Sequence, residues 1–224
     1  MQNFAIILAR GGSKGIENKN LMDFCGKPLI EWTIDHCKNC KYIKEIFVSS
    51  DSNDILNFSN SKNIRTIVRP SNISEDDSSS EDAWSHALDY VSNEKGYEVD
   101  YIIAPQVTSP IREVKDLNNA IEKFIYEKLD SLLSVNELKD FFIWKQKGSK
   151  FVSDNYDYQK RSRRQLINTK YHENGSFYIF KASEFLVKKN RLFKKIGMFK
   201  MNKKYGFEVD DIEDLLILKK IFKI

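Results

Sequence analysis

The chain has 224 residues, enough for one α/β domain with a substantial buried core. Its net charge is +4 and its lysines and glutamates are spread along its length, which excludes the segregated basic stripe of a nucleic-acid binder. No apolar run reaches the length of a membrane span or a signal core. The three cysteines, Cys25, Cys37 and Cys40, include no second Cys-x-x-Cys pair, so the reading is a cytoplasmic protein with reduced, structural thiols.

In chain order, the first element is an apolar strand at residues 4–8. It empties into Ala9-Arg10-Gly11-Gly12-Ser13-Lys14-Gly15, with Lys19-Asn20 close behind. Glycines let a backbone approach a ligand and aim its N–H groups at it. Arg10, Lys14 and Lys19 add positive charge suited to a triphosphate. The loop has neither the G-x-x-x-x-G-K-[ST] spacing of a Walker loop nor the G-x-G-x-x-G of a dinucleotide fingerprint. It reads as a phosphate site of another kind.

Buried-strand runs then recur at 45–48, 65–68, 101–104 and 131–135. Helical stretches separate them at 29–37, 54–61, 80–90 and 114–126. Asp51 and Ser52 stand where they can cap the second helix, and Ser79 or Ser80 the third. This alternation predicts a doubly wound, mostly parallel sheet with helices on both faces, and ligands beyond the carboxyl ends of its strands. Polar clusters follow those ends. Arg69-Pro70 with Asp76 to Ser80 offers a cation and hydroxyls to a base or phosphate, or is a solvated loop. Gln106-Val107-Thr108-Ser109-Pro110-Ile111-Arg112 lies in site position.

After residue 135 the pattern changes to a hairpin around Gly148. Its Phe141, Phe142, Trp144 and Phe151 either form a dimer surface or cover the edge of the core. An aperiodic basic stretch, 156–170, holds Arg164-Gln165, and Asn174-Gly175 precedes a strand at 177–180. Together they form a cluster able to hold a carboxylate or a hydroxylated sugar. A strand at 196–201 and a helix at 212–222, with Leu215, Leu216, Leu218 and Ile221 as its apolar face, close the chain. Before that helix, Glu208 and Asp210 alternate with Val209. On an extended backbone they share a face, two hard oxygen ligands suited to Mg²⁺, while Asp211 and Glu213 suit the helix N-terminus. The whole reads as a single domain, 1–224, with a small projecting β-rich arm at 136–172.

These motifs, in this order, resemble the acylneuraminate cytidylyltransferase family, whose members make CMP-sialic acid and related CMP-nonulosonates. The resemblance rests on Ala9 to Gly15 with Lys19-Asn20, Ser50-Asp51, Arg69-Pro70 with Asp76 and Ser80, and Gln106-x-Thr-Ser-Pro-x-Arg112. It continues through Arg164-Gln165, Asn174-Gly175-x-x-Tyr178 and Glu208-x-Asp210-x-x-x-Asp214-Leu215. It implies a Rossmann-like nucleotidyltransferase that joins the anomeric hydroxyl of an ulosonic acid to the α-phosphorus of CTP and releases pyrophosphate, for bacterial surface glycans.

By the resemblance, Ala9, Arg10, Gly11, Gly12, Lys14, Lys19, Asn20, Arg69 and Ser80 bind the nucleotide. Gln106, Thr108, Arg164, Gln165, Asn174, Gly175 and Tyr178 face the sugar acid. Asp210 with Glu208 holds Mg²⁺, and Arg10, Lys19 and Asp210 carry catalysis. A homodimer through the arm is implied, with no nucleic acid and no membrane as partner. Three positions depart from the family pattern. Val107 stands for a proline, Glu208 for an aspartate and His172 for an arginine near the sugar acid. His172 and Val107 point to a nonulosonate other than N-acetylneuraminate, such as legionaminate, while Glu208, longer by one methylene, bears on whether one metal or two are held. The alternatives are a CMP-Kdo synthetase and a nucleotide-binding relative that has lost catalysis.

Overall fold

The computed structural model describes residues 2–12, 15–94, 96–138, 141–161, 163, 166 and 168–222. The strands in chain order are β1 (Asn3–Leu8), β2 (Asp23–Phe24), β3 (Lys27–Pro28), β4 (Glu45–Ser50), β5 (Arg65–Val68), β6 (Tyr101–Pro105), β7 (Ser131–Leu138), β8 (Trp144–Lys147), β9 (Lys150–Ser153), β10 (Lys170–Lys181) and β11 (Ile196–Lys200). The helices are α1 (Leu29–Lys38), α2 (Asn53–Ser61), α3 (Ser80–Asp89), α4 (Val114–Tyr126), α5 (Ala182–Lys188) and α6 (Ile212–Phe222).

A seven-stranded sheet runs β11-β7-β10-β6-β1-β4-β5. Its strand pairs are parallel except where β10 lies antiparallel to both β6 and β7. Strand alternation divides the core between the two faces. Ala5, Ile7, Ile103, Phe177 and Ile179 pack with α1, α4 and α6. Phe4, Ile6, Ile102, Ala104, Tyr178 and Phe180 pack with α3 and α5. The chain moves outward from β1 to β4 and β5, then returns to place β6 on β1's other side. The crevice over β1 and β6 is therefore the switch point where such sheets take ligands.

The expected parallel strands and the helices between them are found to within a few residues. Four features differ. First, β10 begins at Lys170, inside the stretch read as aperiodic. Residues 170–173 are exposed, so no apolar alternation marked them. Second, Cys25 and Gly26 both take positive φ (52° and 97°) in a two-residue hairpin turn between β2 and β3. Third, α5 has seven residues, too few for a readable helical period. Fourth, Leu216 of α6 is exposed while Leu215 and Leu218 are buried.

Ser79 caps α3 by accepting from the Asp82 N–H at 3.0 Å. Ser52 stands at the N-cap of α2 without a side-chain cap bond, and Asp51 is turned elsewhere. The β8–β9 hairpin closes at Gly148 (φ 62°) and exposes Phe141, Trp144 and Phe151. Phe141, Trp144 and Phe151 are between 46% and 70% exposed. Within the arm, the Phe142 and Tyr156 rings meet with centroids 4.4 Å apart and planes tilted by 57°, and the Trp144 indole donates to the Tyr156 hydroxyl at 2.9 Å.

Candidate active site

A cavity of about 510 Å³ lies over the carboxyl ends of β1 and β6. It is lined by Arg10, Lys19, Asn20, Arg69, Ser80, Gln106, Thr108 and Asp210 of the residues the sequence singled out. Gly15, Trp84 and the 73–79 loop line it as well.

The first wall grows from the ends of the parallel strands. Ala9 continues β1 with its N–H on the Ser49 carbonyl at 3.0 Å, and is buried. The Gly11 N–H donates to Asp51 Oδ1 at 2.9 Å, and a Cβ on Gly11 would come within 2.9 Å of Ser52 Cβ. Asp51 is therefore a tether for the glycine loop more than a helix cap. Gly12 faces open space. A Cβ on Gly15 would overlap the Asp210 carbonyl oxygen, so glycine there lets the loop close on the 207–210 segment. Lys14 lies outside the described residues.

The cations of this wall already have partners. Arg10 pairs with Asp76 at 2.9 Å and donates to the Glu75 carbonyl at 3.2 Å. Asn20 holds the Arg10 carbonyl through its Nδ2 at 2.8 Å. Lys19 donates to the Val209 carbonyl at 2.9 Å and meets Asp210 Oδ1 at 3.3 Å. Arg69 is different. It is 6% exposed, its Nε and Nη2 have no hydrogen-bond partner, and the nearest ion-pair contact is Asp51 at 3.7 Å. Burial pulls its pKa down, and Arg10 adds to the fall while Asp51 opposes it. A buried guanidinium with spare donors on a cavity wall is prepared for an acceptor brought by a ligand.

The opposite wall is built from the β6 loop, β10 and the 207–210 segment. The Gln106 N–H donates to the Ser176 carbonyl at 3.0 Å, and the Val209 N–H to the Thr108 carbonyl at 2.8 Å. Val209 is buried while Glu208 and Asp210 lie on its other side, as an extended backbone requires. The Thr108 hydroxyl donates to Glu208 Oε2 at 3.1 Å. Glu208 packs against Gly175 (φ 63°) where any Cβ would overlap Oε1. Its pKa is raised, chiefly by burial and then by Asp210, with the Thr108 bond acting against the shift.

Three expected sugar contacts are not in the cavity lining. Asn174 is 1% exposed, and its amide is spent on Ser134 Oγ (2.6 Å), Asn136 Oδ1 (2.8 Å) and the Ser176 N–H (3.2 Å). Tyr178 is buried beside Trp84 and Arg191 and donates to Glu173. Gly175 backs Glu208 and does not line the cavity. Arg164 and Gln165 lie outside the described residues.

Asp214 Oδ2 accepts from the Asp210 and Asp211 N–H groups, and Asp211 Oδ1 accepts from the Asp214 N–H. The cap of α6 thus uses Asp211 and Asp214, and leaves the Asp210 carboxylate 74% exposed toward the cavity. No group of three or more His, Cys, Asp or Glu arranged for a metal occurs among the described residues. Glu208, the other carboxylate named for the metal, is not in the cavity lining and has its Oε2 taken by Thr108, so of the two Asp210 alone is exposed there. One carboxylate still fits the chemistry of Mg²⁺, which takes one or two and fills its shell with water and phosphate oxygens.

Sequence reasoning passed over Asp51 as a tether, Gly15 as a close-approach glycine, and Trp84. The one sequence signal for Trp84 was its place one helical turn after Ser80 on α3.

The sequence model described as Cytidylyltransferase matches residues 4–222. The pseudaminic acid cytidylyltransferase of Campylobacter jejuni subsp. jejuni serotype O:23/36 (strain 81-176) is 30% identical over 230 residues, covering 100% of this chain and 97% of that protein. The N-acylneuraminate cytidylyltransferase of Streptococcus agalactiae serotype III (strain NEM316) is 29% identical, over 96% of this chain and 52% of its own length. Among solved structures, CMP:2-keto-3-deoxy-manno-octonic acid synthetase complexed with CTP aligns with a TM-score of 0.74 at 15% identity, over 100% and 99% of the two chains. A 4-diphosphocytidyl-2C-methyl-D-erythritol synthase aligns at 0.71 and 9% identity, over 98% of each. At such identities these two speak for the fold alone.

Proposed function

The chain belongs to the cytidylyltransferase family, and on that footing we propose that it joins CTP to a bacterial nonulosonic acid, giving the CMP-sugar and pyrophosphate. The observation that carries this reading is the cavity itself. Arg10, Lys19 and Arg69 line one side of it, Gln106 and Thr108 the other, and Asp210 lies against Lys19.

In the reaction, the anomeric oxygen forms a bond to the α-phosphorus. The bond from that phosphorus to the bridging oxygen breaks, pyrophosphate leaves, and the hydroxyl gives up its proton. Such transfers depend on in-line positioning and charge neutralisation more than on covalent catalysis. Arg10 and Lys19, with Lys14, hold the triphosphate, and Lys19 meets the charge that grows on the leaving group. Arg69 and Ser80 hold the cytidine, the former through its spare N–H donors. Gln106 and Thr108 orient the sugar acid. Asp210, with Glu208 beside it, would hold Mg²⁺, which supplies further neutralisation of phosphate charge when bound.

The full-length match to a pseudaminic acid enzyme, with Val107 in the cavity lining where many relatives carry a proline, favours a nonulosonate other than N-acetylneuraminate. His172 lines the second cavity instead. The test is to incubate the protein with CTP, Mg²⁺ and a panel of pseudaminate, legionaminate, N-acetylneuraminate and Kdo, and to follow pyrophosphate. Turnover with Kdo alone would sink the reading, and CTP binding without turnover of any acid would favour a non-catalytic relative.

A second copy of this chain is the proposed occupant of the arm, 136–172. Its support is the exposed Phe141, Trp144 and Phe151, beside a cavity of about 630 Å³ lined by Phe141, Phe142, Tyr156, Leu166 and Tyr171. Light scattering at micromolar concentration checks it, with Phe151→Glu expected to shift a dimer toward monomer. Among the described residues no helix is long and apolar enough to cross a membrane, and a cytoplasmic location, where CTP is made, follows from the reading.

A further inference from the structure

Arg112 is 2% exposed, and all its hydrogen bonds among the described residues end on neutral oxygens. Nε donates to Ser176 Oγ at 3.1 Å, Nη1 to Thr33 Oγ1 at 3.3 Å, and Nη2 to the Gln106 carbonyl. One planar fork thus ties three elements that are far apart in sequence: α1, the β6 loop and the turn inside β10. The Thr33 hydroxyl also donates to the Gln106 carbonyl, at 3.4 Å.

The consequence falls on Gln106. Its N–H is held by the Ser176 carbonyl and its C=O by Arg112, so its peptide groups are fixed on both sides. Two residues on, Thr108 holds Glu208, Glu208 packs on Gly175, and Gly175 precedes Ser176, which returns to Arg112. The contacts close into a ring behind the acceptor wall. Burial lowers the pKa of Arg112 to about 10, so the ring keeps its cation at neutral pH. A buried cation is costly, and neutral side chains can brace a loop, so its presence beneath a ligand wall calls for a use.

We propose that Arg112 is the positioning residue of the acceptor wall, acting through the Gln106 carbonyl and the Ser176 hydroxyl to set where Gln106 and Thr108 meet the sugar acid. It touches no substrate itself. The inference rests on the reading of the Gln106–Thr108 side as the sugar-acid side.

The test compares Arg112→Lys, Ser176→Ala and Thr33→Val with the wild type, using the acid of the panel that the wild type turns over fastest. KM for that acid should rise about tenfold in Arg112→Lys and less in the two partner variants, while KM for CTP stays within about twofold. A bracing role alone would lower the melting midpoint and leave the ratio of the two KM values unchanged, and that result overturns the proposal. If Arg112→Lys does not fold, Ser176→Ala and Thr33→Val decide by the same ratio. If the wild type turns over no acid of the panel, it is the functional reading that has failed. Amide exchange then decides the positioning claim: faster exchange at residues 106–109 in Ser176→Ala, with β1 and β4 unchanged, supports it, and equal exchange overturns it.

Discussion

The two walls of the cavity are made in different ways. The wall proposed for the nucleotide hangs from the ends of parallel strands β1, β4 and β5, and most of the polar residues named for it from the sequence line the cavity. The opposite wall combines the loop after parallel strand β6, whose Gln106 and Thr108 line the cavity, with a bulged antiparallel strand and a late segment that crosses back to it. There Asn174 and Tyr178 turn inward and build the wall without facing the ligand. A polar motif at a parallel strand's end is presented to the ligand by the architecture. The same kind of motif at an irregular strand is as readily consumed in holding the backbone.

Mutations can break or sharpen this contrast. The largest effect belongs to the seam between the walls. Asp210→Ala should lower Mg²⁺-dependent turnover by about a thousandfold or more with a native melting curve, and unchanged activity would mean the metal is held elsewhere. Gly15→Ala should cost about a hundredfold in kcat/KM, because its Cβ pushes the glycine loop off the Asp210 backbone, whereas Gly12→Ala meets open space and should be nearly silent. If both glycines behave alike in steady-state kinetics, close approach is not what Gly15 provides.

On the nucleotide side, Asp51→Ala frees the Gly11 N–H and the Arg69 guanidinium together. Calorimetry should show CTP binding weakened about tenfold, with KM for the acid unchanged. On the acceptor side, Asn174→Ala should cost about 2 kcal/mol of stability in denaturant titration and move the acid KM little, since its amide is spent internally. A raised acid KM at unchanged stability would return Asn174 to the ligand.

The smallest effect is a pH dependence behind the acceptor wall. Burial, with Arg112 and Lys27 nearby, lowers the pKa of His36 from 6.5 to about 3. Between those values the unfolded chain takes a proton that the folded one refuses. Stability conferred by the neutral ring is therefore complete above pH 6.5 and is lost as pH falls toward 3, by up to about 1.4 kcal/mol per unit. Thermal melts from pH 7 to 5 should show this slope, and His36→Gln should flatten it.

How much was legible in the sequence follows the same division. Residues 4–8, 101–104 and the loops after them could be read because buried parallel strands are apolar runs and their ends are fixed by topology. β10 could not be read as well. Its first residues are exposed, and the register shifts between Glu173 and Tyr178 around the positive φ of Gly175. A one-residue slip turns every following side chain to the other face, so spacing alone gave no direction for Asn174 or Tyr178. Gly15 was visible as a loop glycine, but its reason lies at Asp210, almost the whole chain away. Asp51 was read as a cap because a cap needs only local sequence, while its tether to Gly11 is a contact between the loops that follow β1 and β4.

The pairs Arg10–Asp76 and Lys19–Asp210 bear on how a nucleotide enters. Two of the cations proposed for the triphosphate are already held by the protein's own carboxylates, so on that proposal binding there is an exchange of anions and not the capture of an anion by bare charge. The displaced counter-charges stay tethered to the chain and are not released as free ions. At these two positions, the strength of CTP binding should therefore follow ionic strength less steeply than the number of positive side chains in the cavity would suggest.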